Sequence, residues 1–149
     1  MYSIRLLMEL RSYRARISYR KIGDESTLIQ SEDDFVVVYC VKQPWVSSSL
    51  MIAPQAKLDD GKMWLILVRR NQIDRYRMLK IMLGFKSGDH LNVEGCEMIP
   101  VSYFKLETLS HKQSYITVDG EIMEPVEKNL LNRTVEVDVV PKYTNVFTK

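Results

Sequence analysis

The spacing of apolar side chains along the chain predicts a mostly β fold. Over residues 13–20, apolar and polar positions alternate, with Tyr13, Ala15 and Ile17 on one side and arginines on the other. This period of two is typical of a half-buried strand. Phe35 to Lys42 is apolar or β-branched at almost every position, which predicts a central strand that is covered on both faces.

Further strands are predicted along the rest of the chain. Both alternating faces of Lys62 to Arg70 are apolar, which indicates another buried strand. The acid-rich segment from Ile22 to Asp34 predicts a solvated loop, with at most a brief strand near Leu28. Shorter strand-like runs cover residues 47–53, 96–106, 114–118 with 121–124, and 133–140.

Two segments have helical spacing. Residues 2–12 predict a short amphipathic helix, and residues 73–86 predict a longer one. For the longer helix we expect Asn71 as the cap, Asp74 near the positive end of the dipole and Gly88 as the stop. These elements together predict a single α+β domain over residues 1–149, mostly antiparallel β and sandwich-like, with one or two helices.

Composition and charge exclude several classes of protein. The 149 residues are 46% apolar and 27% charged, which suits one compact domain rather than a disordered or collagen-like chain. The longest apolar run, Phe35 to Val41, has seven residues, whereas a membrane-spanning helix needs about 20. The amino end lacks the features of a secretory signal, and Cys40 and Cys96 cannot build a disulfide framework. We therefore expect a cytoplasmic protein.

Two kinds of chemistry are not indicated by this sequence. A phosphate-binding loop needs several glycines within a few residues, because backbone amides must approach the phosphates closely. The glycines here are never closer than four residues apart. His90 and His111 belong to no metal-ligand pattern, so no structural metal is expected. The balance of 21 Lys and Arg against 19 Asp and Glu does not argue for a nucleic-acid partner.

Asp119, Gly120 and Glu121 place two carboxylates around a glycine, between two strand-like runs. One interpretation is an ordinary tight hairpin, for which Asp-Gly is a preferred pair. The other is that a rigid hairpin presents both acids to a magnesium-nucleotide or to a substrate hydroxyl. The turn at Asp59, Asp60 and Gly61 has the same two interpretations, with less support for the second.

The helix predicted over residues 73–86 is apolar around most of its circumference. Such a helix either packs in an ordinary core or lines an apolar cavity, where unbranched Met78 and Met82 could adapt to an acyl chain. Near the amino end, basic residues cluster on a predicted strand. They form either its solvent-exposed face or a binding site for anionic lipid headgroups. That cluster comprises Arg11, Arg14, Arg16, Arg20 and Lys21.

Taken in order, the motifs resemble the carboxy-terminal lobe of sphingosine kinases, members of the diacylglycerol-kinase-like lipid kinase group. The resemblance runs from about Met1 to about Pro141 and is specific because five short motifs keep the family's order. They are residues 10–19, Ala53-Pro54 with residues 58–61, Met78 to Leu83 leading to Gly88-Asp89-His90, residues 104–107, and Val118 to Glu121.

This resemblance implies an ATP-dependent kinase that phosphorylates the primary hydroxyl of a sphingoid base, with magnesium (Mg2+), in a cleft between two lobes. It implies that Asp119 and Glu121 act in catalysis and, with Gly120, face the nucleotide and its metal. It also implies a lipid pocket in the carboxy-terminal lobe. The residues expected to line that pocket are Met63, Met78, Ile81, Met82, Phe85 and His90.

Departures from the family pattern set further expectations. The family's amino-terminal nucleotide-binding lobe, with its glycine-rich motif, has no counterpart in these residues, and Thr108 replaces the usual proline. The chain then resembles one part of a kinase. We expect this part to be inactive alone and to work together with the nucleotide-binding lobe. Whether it contacts a membrane peripherally stays open. The alternative is a non-catalytic lipid-binding or regulatory module. The choice among sphingosine, ceramide and diacylglycerol stays open.

Overall fold

The computed structural model describes residues 10–109, 116–123 and 133–140. The helix predicted over residues 2–12 falls almost wholly outside these ranges. The described ranges hold one α-helix, α1 (Arg75–Gly84), and two short 3-10 helices, Arg70–Gln72 and Asp89–Asn92. Their strands are β1 (Tyr13–Lys21), β2 (Asp24–Val41), β3 (Trp45–Ser47), β4 (Leu50–Met51), β5 (Met63–Arg69), β6 (Cys96–Thr108), β7 (Thr117–Val118), β8 (Glu121–Ile122) and β9 (Thr134–Asp138).

Four of these strands pair in a closed ring. β1 pairs with β2, β2 with β5, β5 with β6, and β6 with β1, always antiparallel. The ring closes because β2 and β6 are long enough for each to pair with β1 along one part and with β5 along another. β9 pairs with residues 103–107 of β6, a stretch whose opposite edge pairs with β1. The predicted α+β architecture, mostly antiparallel and sandwich-like, is confirmed.

The loop predicted over Ile22 to Asp34 is wrong, because β2 runs without a break from Asp24 to Val41. Its acids face arginines of β1 across the strand pair. Arg14 and Arg16 each donate a hydrogen bond of 3.2 Å to the Glu32 carboxylate, and Arg14 also lies 3.7 Å from Asp34. Opposite charges on paired strands stabilise the pairing, so acids that suggest a loop in isolation are compatible with a strand here.

β5 is buried on both faces, as its sequence predicts. Every residue from Met63 to Val68 is buried. One face packs inside the strand ring, where it meets Ile17, Phe35, Val101 and Phe104. The other face packs outside the ring, beneath α1. The helix therefore lies on the outer layer of a two-layered core.

The predicted helix is shorter than its apolar pattern suggests. Asp74, rather than Asn71, is the cap, since its carboxylate accepts a hydrogen bond of 2.8 Å from the Arg77 amide. Asn71 lies in the preceding 3-10 helix. The helix ends at Gly84, four residues before the predicted stop, with Phe85 as its C-cap. Gly88 has a φ of 86° and lies instead just before the second 3-10 helix.

Candidate functional site

The buried face of α1 forms an apolar layer over β5. Met78, Ile81 and Phe85 are buried in one cluster with Trp64, Ile66 and Val68 of β5 and with residues 52–56. Met82 is partly buried against the same cluster. The structure thus brings these four predicted lipid-lining residues together on one side of the helix.

His90 completes this group from the 3-10 helix that follows α1. Its side chain is 0% exposed, and Nε2 lies 2.9 Å from the Ile52 carbonyl oxygen. Because a carbonyl oxygen only accepts, Nε2 is the donor. Nδ1 lies 3.4 Å from the Gly84 carbonyl oxygen, and the ring centroid is 4.6 Å from that of Phe85. His90 therefore joins the end of the helix to the segment after β4.

Gly84 allows His90 to approach the helix. A Cβ on Gly84 would lie 2.4 Å from the His90 backbone nitrogen, which no ordinary contact permits. One residue further along, the Phe85 carbonyl accepts a hydrogen bond of 2.6 Å from the Met51 amide. The carboxyl end of α1 is thus fixed both to His90 and to the β3–β4 hairpin.

Met63 lies away from the other predicted lipid-lining residues. It is 4% exposed and packs with Leu65 inside the strand ring, on the opposite face of β5 from α1. Its sulfur is 3.7 Å from the Cys40 sulfur. Both faces of β5 are apolar, so alternation alone could not tell which face the helix covers.

The acidic segment forms the tight hairpin that its sequence predicts. Asp119 and Gly120 have φ values of 51° and 87°, so both central residues of the two-residue turn between β7 and β8 are left-handed. Asp119, Gly120 and Glu121 are exposed. Within the part of the chain that the structure describes, neither carboxylate has an ion-pair partner, and no hydrogen bond links the hairpin to α1 or His90.

Asp60 has a structural role that the sequence did not reveal. Its carboxylate accepts hydrogen bonds from the Lys57 and Lys62 amides, at 3.2 and 3.1 Å, and from the Trp64 indole nitrogen at 3.2 Å. These donors hold the 57–62 turn against β5. The Asp-Gly pair was the only local signal, and it indicates a turn without identifying the indole as a partner.

The basic cluster on β1 is largely compensated. Hydrogen bonds from Arg16 and Arg14 hold the pKa of Glu32 below its ordinary value. Arg16 also lies 3.9 Å from Glu107, and the Arg20 guanidinium stacks 4.7 Å from the Tyr103 ring centroid. This surface is therefore the solvent-exposed face of a strand pair. Little of its positive charge is left uncompensated to bind a polyanion.

The described ranges contain no group of three or more His, Cys, Asp or Glu side chains arranged to hold a metal ion. No helix among the same residues combines the length and the hydrophobicity that a bilayer crossing requires.

Comparison with known proteins identifies the family. A family model described as the YegS C-terminal NAD kinase beta sandwich-like domain matches residues 1–148. The chain belongs to this family. The resemblance drawn from the sequence motifs to this group of kinases is thereby confirmed.

Several relatives in curated collections are sphingosine kinases. The chain is 29% identical to sphingosine kinase 1 of Caenorhabditis elegans over 85% of its length, and 28% identical to sphingosine kinase 1 of Mus musculus over 78%. It is 33% identical to sphingosine kinase 2 of Homo sapiens over 62%. The matched part covers only 25%, 38% and 14% of these three proteins. Each of these three relatives is thus considerably longer than this chain.

Solved structures share the fold at low sequence identity. A structure from Bacillus anthracis str. Sterne, with proposed diacylglycerol kinase function, aligns with a TM-score of 0.60 and 15% identity, covering 94% of this chain and 40% of that one. A diacylglycerol kinase from the same organism aligns with a TM-score of 0.52 and 16% identity, covering 80% and 39%. At these identities the likeness shows the fold alone.

Proposed function

We propose that this chain is the lipid-binding lobe of a sphingosine kinase. The complete enzyme would transfer a phosphoryl group from ATP to the primary hydroxyl of a sphingoid base. The observation that carries this proposal is the gathering of Met78, Ile81, Met82, Phe85 and His90 at one side of α1. The sphingosine kinases among the relatives of the chain support the choice of substrate class.

The helix side of the site would receive the lipid tail. Each methylene removed from water contributes about 0.8 kcal/mol, and the flexible thioethers of Met78 and Met82 can adjust to its path. Met82 is only partly buried, so it is the natural point of entry. Met63 packs beneath β5 on the other face, and we propose that it supports the strand rather than touching the tail.

The hairpin would serve the phosphoryl transfer. Asp119 and Glu121 offer carboxylate oxygens, which suit a hydrated Mg2+ ion, on a turn whose backbone is stiff. Their exposure and their lack of ion-pair partners among the described residues fit this role. Bound Mg2+ neutralises charge that develops on the transferring phosphate. Glu121 and Asp119 would keep the metal-nucleotide oriented from the side of this lobe.

The remaining machinery would lie in a second lobe. Residues 1–149 contain no cluster of glycines that could cradle phosphates. We therefore propose that these residues form one domain and that ATP is held mainly by an amino-terminal nucleotide-binding lobe of the complete cytoplasmic protein. Purified residues 1–149 should then bind a sphingoid base without phosphorylating it, since most groups that orient the γ-phosphate are missing.

The test is a kinase assay on the full-length gene product, with radiolabelled ATP and sphingosine. Glu121→Ala should lower kcat by about tenfold or more and leave the KM for sphingosine nearly unchanged. Glu25→Ala is the matched control, because Glu25 is also an exposed acid near a tight two-residue turn, Ile22–Gly23 between β1 and β2. Equal activity of the two variants would refute the role of the hairpin.

The same assay separates the alternative function. A full-length protein that binds sphingosine but transfers no phosphate to any of sphingosine, ceramide or diacylglycerol would be a non-catalytic lipid-binding module. Transfer to diacylglycerol alone would keep the kinase class and overturn the sphingoid substrate.

A further inference from the structure

Charge is distributed unevenly between the helix side of the molecule and the rest. Residues 35–58 and 75–88 together contain six Lys and Arg and no Asp or Glu. The remainder of the chain has 15 Lys and Arg against 19 Asp and Glu. Within the described residues, Arg77 alone among the six has an ion-pair partner, with Asp74 and Glu94. The two segments therefore carry uncompensated positive charge.

The same two segments expose large apolar side chains. On the β3–β4 hairpin, Trp45 and Val46 are each 43% exposed and Leu50 is 38% exposed. On α1, Leu83 is 62% exposed. Exposed apolar side chains grouped on one surface mark an interaction site more often than scattered ones do.

The hairpin and the helix end are neighbours in the fold. The Met51 amide donates to the Phe85 carbonyl, and Trp45 pairs with Met51 across the hairpin. Leu50 precedes Met51 in the chain, and Leu83 lies two residues before Phe85. We call Trp45, Val46, Leu50 and Leu83 the hairpin–helix surface. Exposed Lys42 and Lys86 flank it along the chain.

We propose that the hairpin–helix surface docks on an anionic lipid bilayer. Tryptophan favours the boundary between headgroups and hydrocarbon, and aliphatic side chains next to it add buried apolar area. Lysines close to an anionic surface add electrostatic attraction, and residues 35–58 and 75–88 contain no acid themselves, although Asp34, Asp59, Asp74 and Asp89 directly border them. Docking there would place the helix side of the site next to the bilayer that holds a lipid substrate, so this inference rests on the proposed function.

The surface is tested by sedimentation of the 149-residue chain with vesicles of phosphatidylcholine, with and without about 30 mol % phosphatidylserine. We expect binding mainly to the anionic vesicles, weakened by added salt. In a Trp64→Phe background, Trp45 emission should shift to the blue on binding. The double variant Trp45→Glu with Leu83→Glu should lower the partition coefficient about tenfold or more, through lost apolar burial and added repulsion.

Leu28→Glu is the matched control, because Leu28 is a leucine on β2 with a similar exposure of 50% and lies outside the two basic segments. Its binding should stay within about twofold of the unaltered chain. Equal losses in control and double variant, or no loss in either, overturn the proposal. So does light scattering that shows dimers of the unaltered chain and monomers of the double variant, because the surface would then bind a second copy.

A separate measurement distinguishes this inference from the proposed function. Binding of a water-soluble, short-chain fluorescent sphingosine analogue is measured without vesicles. If the unaltered chain binds the analogue but not the anionic vesicles, the docking surface is wrong and the lipid-binding lobe stands. If it binds the vesicles but not the analogue, the sphingoid pocket is wrong and the docking surface stands.

Discussion

The carboxylate of Asp60 accepts a hydrogen bond from the indole nitrogen of Trp64, 3.2 Å away. Trp64 is a buried residue of β5 and packs under α1. Asp60→Ala removes the acceptor for this indole and for two backbone amides of the 57–62 turn. Because unsatisfied donors are costly away from water, we expect the free energy of unfolding to fall by about 2 kcal/mol.

Urea unfolding followed by tryptophan fluorescence measures that loss. Asp59→Ala is the control, since the neighbouring exposed acid forms none of these hydrogen bonds, and it should change stability by less than about 0.5 kcal/mol. Similar losses for the two variants would show that the 57–62 turn does not depend on Asp60.

Much of the fold could be predicted from local patterns, and the failures have a common cause. Alternation in β1 and the double-sided burial of β5 follow from side-chain periodicity alone. The local pattern does not indicate the first half of β2, because the partners of its acids, Arg14 and Arg16, lie on another strand. Periodicity describes one element at a time, so stabilisation across strands is invisible to it.

In the candidate site, too, the local features could be predicted from the sequence and the long-range contacts could not. The apolar face of α1 and the tight turn at Asp119 could be predicted, because both depend on neighbours in sequence. The burial of His90 depends on Ile52, which is 38 residues away. The resemblance to sphingosine kinases groups Met63 with the helix residues, and because both faces of β5 are apolar, only the tertiary packing assigns it to the other face.

Gly84→Ala is expected to destabilise the protein although it improves helix propensity. In an isolated helix the change would stabilise by about 1 kcal/mol. Here the new Cβ would lie 2.4 Å from the His90 backbone nitrogen, and backbone cannot yield as a flexible side chain can. We expect a net loss of about 1–3 kcal/mol in urea unfolding. A stabilised variant would contradict the close approach of His90 to the helix.

Glu32 should contribute stability that depends on pH. Its folded pKa lies below the ordinary value of 4.5, chiefly because Arg16 and Arg14 donate hydrogen bonds to the carboxylate. A group with a depressed folded pKa stabilises the fold above its unfolded pKa, and this contribution disappears as the pH falls through the folded pKa. The stability difference between the unaltered chain and Glu32→Gln should therefore be present at pH 7, start to decline near pH 4.5 and vanish once the pH is below the folded pKa.

The comparison is made by urea unfolding across that range, at low and high salt. Because Glu32 is exposed, salt should also reduce the difference at pH 7. If the stability difference persists unchanged at low pH, the stabilising contacts of Arg14 and Arg16 with Glu32 do not depend on its charge.

The two thiols should react slowly and at different rates. Burial raises the pKa of Cys40 to about 12 and that of Cys96 to about 11. Because the thiolate is the reactive form, Cys96 should react with a disulfide reagent faster than Cys40 in the folded chain. The single-thiol variants Cys40→Ser and Cys96→Ser report each rate, and unfolding in urea should make the rates equal. Faster labelling of Cys40 in the folded chain would contradict this order.

Met82→Arg should abolish binding of a sphingoid base. Met82 lies partly buried against the apolar cluster of α1, so a guanidinium there would either be buried without a partner or block the entry of the tail. Binding is measured with the water-soluble sphingosine analogue, and circular dichroism confirms folding. Met82→Leu should keep binding within about threefold, because it conserves volume and polarity.

Tyr76→Arg controls for the added charge, since Tyr76 is an exposed residue near the start of the same helix. It should bind the analogue as the unaltered chain does. If folded Met82→Arg also binds normally, α1 is an ordinary core helix and the tail is held elsewhere. Loss of binding in both arginine variants would instead indicate a general electrostatic effect on the cationic base, because two positive charges at different places on the helix would repel it alike.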